Sequence, residues 1–172
     1  MYRILEYTLV FVVAVVLQVF LFNNLNLSLY VNPLIYVVFL VMLPMEIDRG
    51  LLLILGLLLG VTLDALMGTA GLNTIASLTT AFFRPMLLLL LAGKDEIHDG
   101  GVPGSARLGF ARYVRYLLAV VSLHCLVLFS FESLTWQYYY LTFLRIILST
   151  LATAFLIYWL QLLFVLRGSF KK

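Results

Sequence analysis

Apolar residues in this chain fall in long blocks separated by short polar links. The blocks run from Tyr7 to Phe22, Asn32 to Pro44, Leu51 to Met67, Ile75 to Ala92, Tyr113 to Phe131 and Tyr138 to Leu166. Between them lie "NNLNLS", "EIDRG", "GTAGLNT", one long polar link over about residues 93–112, and "ESLTWQ". No block alternates apolar and polar residues with a period of two, as a barrel strand does, so each is predicted to be a helix. Several sit near the lower length limit for a hydrocarbon core about 30 Å thick. Only helices and closed barrels satisfy their backbone groups in lipid. The pattern therefore predicts an all-α polytopic membrane protein, with six transmembrane helices in a single domain over residues 1–172. Asn73 or Thr74 is placed to cap the fourth helix.

Composition agrees with a lipid solvent. The chain has 172 residues, 64% hydrophobic and 11% charged, with mean hydropathy +1.11. A soluble domain carries about a quarter charged residues. A chain this short keeps much of its surface outside the core and cannot hide so much apolar area from water. The single cysteine, Cys125, supports neither a disulfide framework nor a zinc cage.

Charge adds orientation. The net charge of +3 carries no nucleic-acid signal, because in a membrane protein the placement of basic residues outweighs their sum. Arg3 precedes the first block, and Arg49 lies between the second and third. Lys94, Arg107, Arg112 and Arg115 lie in or beside the long link, and Arg167, Lys171 and Lys172 follow the sixth block. The other links have no Lys or Arg. That alternation predicts both termini in the cytoplasm. Trp136 to Tyr140 and, about 30 Å further along the sixth helix, Tyr158 and Trp159 fit the two interfaces. The first block reads as an uncleaved helix, since no small-x-small cleavage site follows it.

Apart from Arg115 at the start of the fifth block, three charges fall inside blocks: Asp64, Arg84 and Arg145. Each costs roughly 2.5 to 3.5 kcal/mol at a helix centre. Helix rise puts Arg84 about 15 Å below the outer entry of its helix and Arg145 one to two turns below its own. Two arrangements are open. In one, the three form a polar cluster in the outer half of the membrane, with Asp64 between the arginines. In the other, each reaches the headgroups alone. Asp64 belongs to "GLLLGVTLDALMG", where Gly56, Gly60, Asp64 and Gly68 recur every four residues. Such a ridge of small residues lets two backbones approach closely in lipid. Gly56, Gly60, Gly68, Gly71 and Asn73 are the predicted helix-packing positions.

Catalytic patterns are missing from the sequence. It has no HExxH, no GxSxG elbow and no Walker loop. "DGGVPGSAR", Asp99 to Arg107, has five residues where the DG-x-x-AR signature of membrane phosphoalcohol transferases has two. "KDEIHD", Lys94 to Asp99, reads as a solvated charged loop rather than a metal site. Ser122 and His124 are two apart on a helix and do not face each other, so His124 reads as a satisfied polar group in the bundle. The expectation is a protein that is not an enzyme, with no catalytic residue, metal or cofactor.

The chain resembles the MreD family of rod-shape-determining bacterial membrane proteins. The resemblance rests on Leu17-Gln18, on "VNPLIYVVFLV" (Val31 to Val41), and above all on "GLLLGVTLDALMGTAGLNTIAS" (Gly56 to Ser77). It implies a non-enzymatic scaffold in the bacterial inner membrane, within the elongation machinery for peptidoglycan. The implied partners are an MreC-like bitopic protein, an MreB-like actin homologue and lateral-wall peptidoglycan synthases. The implied fold is similar to the substrate-binding subunits of energy-coupling-factor transporters. Gly56, Gly60, Asp64, Gly68, Gly71, Asn73 and Arg84 fall in the family's recurrent segment. The alternative is a small-molecule (vitamin) binding membrane subunit, with Asp64, Arg84 and Arg145 lining a pocket. The first helix, with a lone alanine and no small-residue docking ridge, favours the scaffold.

Overall fold

The computed structural model describes residues 2–22, 31–133 and 139–166. Among these, every regular element is a helix. Helix α1 spans Tyr2–Val16 and continues as a π-helical turn, Leu17–Phe22. Then come α2 (Val37–Met42), α3 (Arg49–Met67), α4 (Leu72–Leu91), α5 (Lys94–His98), α6 (Ser105–Leu108), α7 (Phe110–Ser133) and α8 (Tyr139–Leu166). The link "NNLNLS", Trp136 and Tyr138, and the basic residues Arg167, Lys171 and Lys172 lie outside the described residues.

Among the described residues, four helices are long and apolar enough to cross a membrane: α3, α4, α7 and, over Tyr140–Leu162, α8. Their outward faces carry exposed Leu51, Ile54, Leu58, Phe82, Leu90, Leu126, Leu151 and Phe155. Apolar surface on this scale is what lipid covers. The buried core holds tyrosines, serines, threonines and an arginine alongside aliphatic residues. Helices in lipid gain little from burying leucine, so polar contacts and close backbone approach carry more of the packing.

The second apolar block is not one long helix. Only Val37–Met42 is helical. Two prolines bound it. Pro33 lacks an N–H and disfavours helical geometry at Asn32, and Leu43, before Pro44, has left the helix at ψ 149°. Residues 33–43 are nevertheless all buried. Irregular backbone inside lipid persists only where protein satisfies it, and side chains do so here. Ser149 Oγ accepts from Asn32 N (3.0 Å), and Thr153 Oγ1 from Leu34 N (2.9 Å). Gln18 Oε1 accepts from Ile35 N (2.8 Å). Ser149 and Thr153 stand four apart on one face of α8. Gln18 lies in the π turn, a local irregularity that often marks a specialised position in a helix.

The polar link is packed onto one end of the bundle. It contains α5 and α6, and α7 begins at Phe110, inside the stretch read as link. Met45 N donates to Gly101 O (2.9 Å), and Gly101 N to Glu46 Oε1 (3.0 Å). The Gln161 amide of α8 donates to Pro103 O (2.6 Å).

Candidate functional site

The α3–α4 hairpin holds most of the residues singled out in the sequence. Gly68 ends α3 in the left-handed region (φ 67°), and Gly71 precedes α4 with φ 85°. With no side chain, Gly71 cannot cap the helix it starts, so the first N–H groups of α4 need an acceptor from elsewhere. Asp64 of α3 supplies it. Its Oδ1 accepts from Asn73 N (3.1 Å), the Asn73 amide (3.0 Å) and the Thr69 hydroxyl. Its Oδ2 accepts from Thr74 N (2.9 Å) and the Thr74 hydroxyl. A carboxylate at a helix N-terminus is favoured by the helix dipole as well as by charge-assisted bonding.

This corrects the capping expectation. Asn73 and Thr74 are not caps but the residues whose N–H groups are capped, because α4 starts at Leu72 rather than Ile75.

The glycines divide into two kinds. A Cβ on Gly60 would fall 2.8 Å from Thr74 N and 2.9 Å from Asn73 O. One turn along α3, a Cβ on Gly56 would meet the Ala81 Cβ at 2.8 Å and Ser77 O at 3.2 Å. These two let α3 and α4 touch backbone to backbone, which brings Asp64 within reach of the first turn of α4. Gly68 and Gly71 have nothing within 4 Å of an added Cβ. Their role is conformational, a tight turn with positive φ at both ends, and not the packing read for them in the sequence. Asn73 too is a polar connector more than a packing residue.

From Asn73 a hydrogen-bonded chain runs inward. Tyr36 donates its hydroxyl proton to Asn73 Oδ1 (2.8 Å) and lies 2.7 Å from His124 Nε2. His124 Nδ1 lies 3.0 Å from Thr80 Oγ1. Asp64 as a carboxylate only accepts, so Asn73 must turn its NH2 toward it and its carbonyl toward Tyr36. Tyr36 then has its proton on Asn73 and receives one from His124. That sets Nε2–H on His124 and leaves Nδ1 unprotonated beside Thr80 Oγ1, whose hydroxyl donates to Ala76 O at 2.7 Å. Tyr36, His124 and Thr80 are each fully buried. The chain joins α2, α4 and α7 to the α3 carboxylate.

Arg84 lies elsewhere. It is fully buried, and its guanidinium closes the end of α2. Nη2 donates to Leu43 O and, at 3.5 Å, to Val41 O, while Nη1 donates to Pro44 O at 3.3 Å. Nε donates to the Tyr116 hydroxyl at 3.0 Å, and that hydroxyl donates to Val41 O at 3.4 Å. Carbonyls left open at a helix C-terminus suit a cation. The fork of N–H groups lets one side chain reach three carbonyls that a helix cut short by Pro44 leaves unpaired.

Arg145 pairs with Glu132 at 3.2 Å, near the end of α7, and stacks over the Phe129 ring at 4.3 Å. The polar membrane cluster of Asp64, Arg84 and Arg145 is therefore replaced by three separate sites. Among the described residues no ion pair joins any two of them. Depth explains the separation. Arg84 is 11 residues beyond Asn73 on α4, about 16 Å at helical rise.

The sequence reading passed over Tyr36, Thr80, Tyr116 and Glu132. Tyr36 was legible only as one more aromatic in an apolar block. Ser149 and Thr153 did carry a signal, two hydroxyls four apart in an apolar helix.

Together these elements define a multi-pass helical membrane protein with a polar interior. No family model, curated protein or solved structure matches the chain.

Proposed function

We propose that the chain is a non-enzymatic scaffold of the bacterial rod-elongation machinery, of the MreD kind. In this reading it crosses the inner membrane six times with both termini in the cytoplasm. The second crossing is made by residues 31–48 through the bundle interior. The fold would then be of the type seen in energy-coupling-factor substrate-binding subunits. Its partners would be an MreC-like bitopic protein, an MreB-like actin homologue and lateral-wall synthases, held through its outward helix faces.

The observation that carries the reading is the bonding of Asp64. The carboxylate accepts five hydrogen bonds, all from its own chain. It lies in Gly56 to Ser77, the segment on which the family resemblance rests most. Polar groups used between helices favour a stiff body that presents surfaces to other proteins. The vitamin-binding alternative needs Asp64 and Arg84 turned toward a ligand, and both are engaged by protein atoms.

Depletion of the protein in its source cell, followed by shape scoring, tests the proposal. Loss of rod shape with delocalised lateral wall synthesis is expected. Normal shape with a vitamin requirement would contradict it.

A further inference from the structure

Outside the polar interior, α7 and α8 flank an apolar groove at the end of the bundle that carries the polar link. The groove between them encloses about 630 Å³. Phe110, Val114 and Leu118 form one wall, and Phe155, Tyr158 and Trp159 the other. It runs eight residues along each helix, about 12 Å. Phe110 and Tyr158 meet edge to face at 5.9 Å and close the link end. Phe110, Phe155 and Trp159 are more than half exposed, so the groove opens outward.

We propose that this groove binds an anionic phospholipid, with an acyl chain along the helices and the headgroup against Arg115. Two observations select this occupant. The first is charge. Arg115 lies one residue after Val114 and three before Leu118, beside the groove, and its Nε bonds only the Ala111 carbonyl of its own helix (3.2 Å). Among the described residues it has no carboxylate within ion-pair distance. Arg112, two residues from both Phe110 and Val114, is on the opposite face of α7 and pairs with Glu96 at 3.3 Å. A basic group beside a cleft between transmembrane helices attracts anionic headgroups. The second is shape. The α3–α4 contact shows what helix docking uses in this protein, glycines four apart that admit another backbone. This groove is walled by phenylalanine, tyrosine and tryptophan, which suit a flexible chain better than a second helix.

Trp159 provides the probe. The chain has two tryptophans, so Trp136→Phe leaves Trp159 as the only one. The full-length Trp136→Phe protein is reconstituted in phosphatidylcholine vesicles containing increasing brominated phosphatidylglycerol or brominated phosphatidylcholine. Half-quenching of Trp159 is expected at about tenfold lower mole fraction of the anionic lipid. Arg115→Gln is expected to remove that preference and Arg112→Gln to keep it, with quenching by the choline lipid unchanged in both. Ala152→Phe, which fills the groove from α8, is expected to remove it as well. Equal quenching by both lipids would overturn the proposal. So would a preference that survives Ala152→Phe, which would put the lipid on the outer surface only. Shielding of Trp159 from both lipids would show a protein occupant instead and also overturn it.

Discussion

Asp64 of α3 accepts the backbone N–H of Thr74 of α4 at 2.9 Å. A helix is thus capped by the helix before it, across a turn whose glycines supply shape and no side chain. The arrangement accounts for a carboxylate in an apolar ridge. Gly60 and Gly56 bring the two backbones together, and the carboxylate sits where the exposed N–H groups of α4 need it.

The glycines of the hairpin should respond differently to substitution. Gly60→Ala places a methyl against the Thr74 and Asn73 backbone, which cannot yield as a side chain would. A cost of about 2–3 kcal/mol is expected, near the upper range for overpacking. Gly68→Ala meets no atom and pays only for its positive φ, about 1 kcal/mol. Gly68→Asn should cost less still, since Asn tolerates the left-handed region. Unfolding of each variant in mild detergent measures the order.

Arg84 should not be replaceable by lysine. Arg84→Leu leaves the Leu43 and Pro44 carbonyls without their donor in a buried site, and about 2–4 kcal/mol is expected. Arg84→Lys keeps the charge but loses the fork, so it should recover only part of that loss. The two variants compared by thermal unfolding, with Tyr116→Phe as a third, give the ranking. Tyr116→Phe is expected to cost least, because it leaves the arginine in contact with the α2 carbonyls.

The chain from Asp64 to Thr80 fixes a proton position. At neutral pH, His124 should carry its proton on Nε2, with Nδ1 unprotonated beside the Thr80 hydroxyl. Nitrogen-15 chemical shifts of labelled histidine report the tautomer directly. Tyr36→Phe removes the acceptor for that proton and orphans Asn73 Oδ1. It should destabilise the protein by about 1–3 kcal/mol.

Much of the helical frame was readable before the structure. The bounds of α3 and α4 lie within three residues of the apolar blocks, because lipid-length apolar runs and a glycine turn are strong local signals. The packing of Gly56 and Gly60 was readable for the same reason. The second block was not, since apolar composition looks alike in a spanning helix and in a buried broken segment. Its prolines at 33 and 44 were the visible clue, but the acceptors at Gln18, Ser149 and Thr153 are far away in the sequence. Asp64 and Arg84 stood out as costly charges, and a charge inside lipid points to a partner of opposite sign. Both found backbone instead, N–H groups for the aspartate and carbonyls for the arginine. No residue pattern in the sequence advertises free backbone groups at a broken helix end.

The central structural claim is that Asp64 registers the protein's own helices. A double-mutant cycle between Asp64→Ala and Thr74→Val tests it most directly, because valine keeps the shape of Thr74 and removes only its hydroxyl donor. Unfolding free energies of the wild type, both single variants and the double variant give the coupling. The two changes should be strongly non-additive, with a coupling of about 1.5–3 kcal/mol for a charge-assisted bond. Additive effects within about 0.5 kcal/mol would mean that the carboxylate does not engage the Thr74 hydroxyl in the first turn of α4 and would contradict the account.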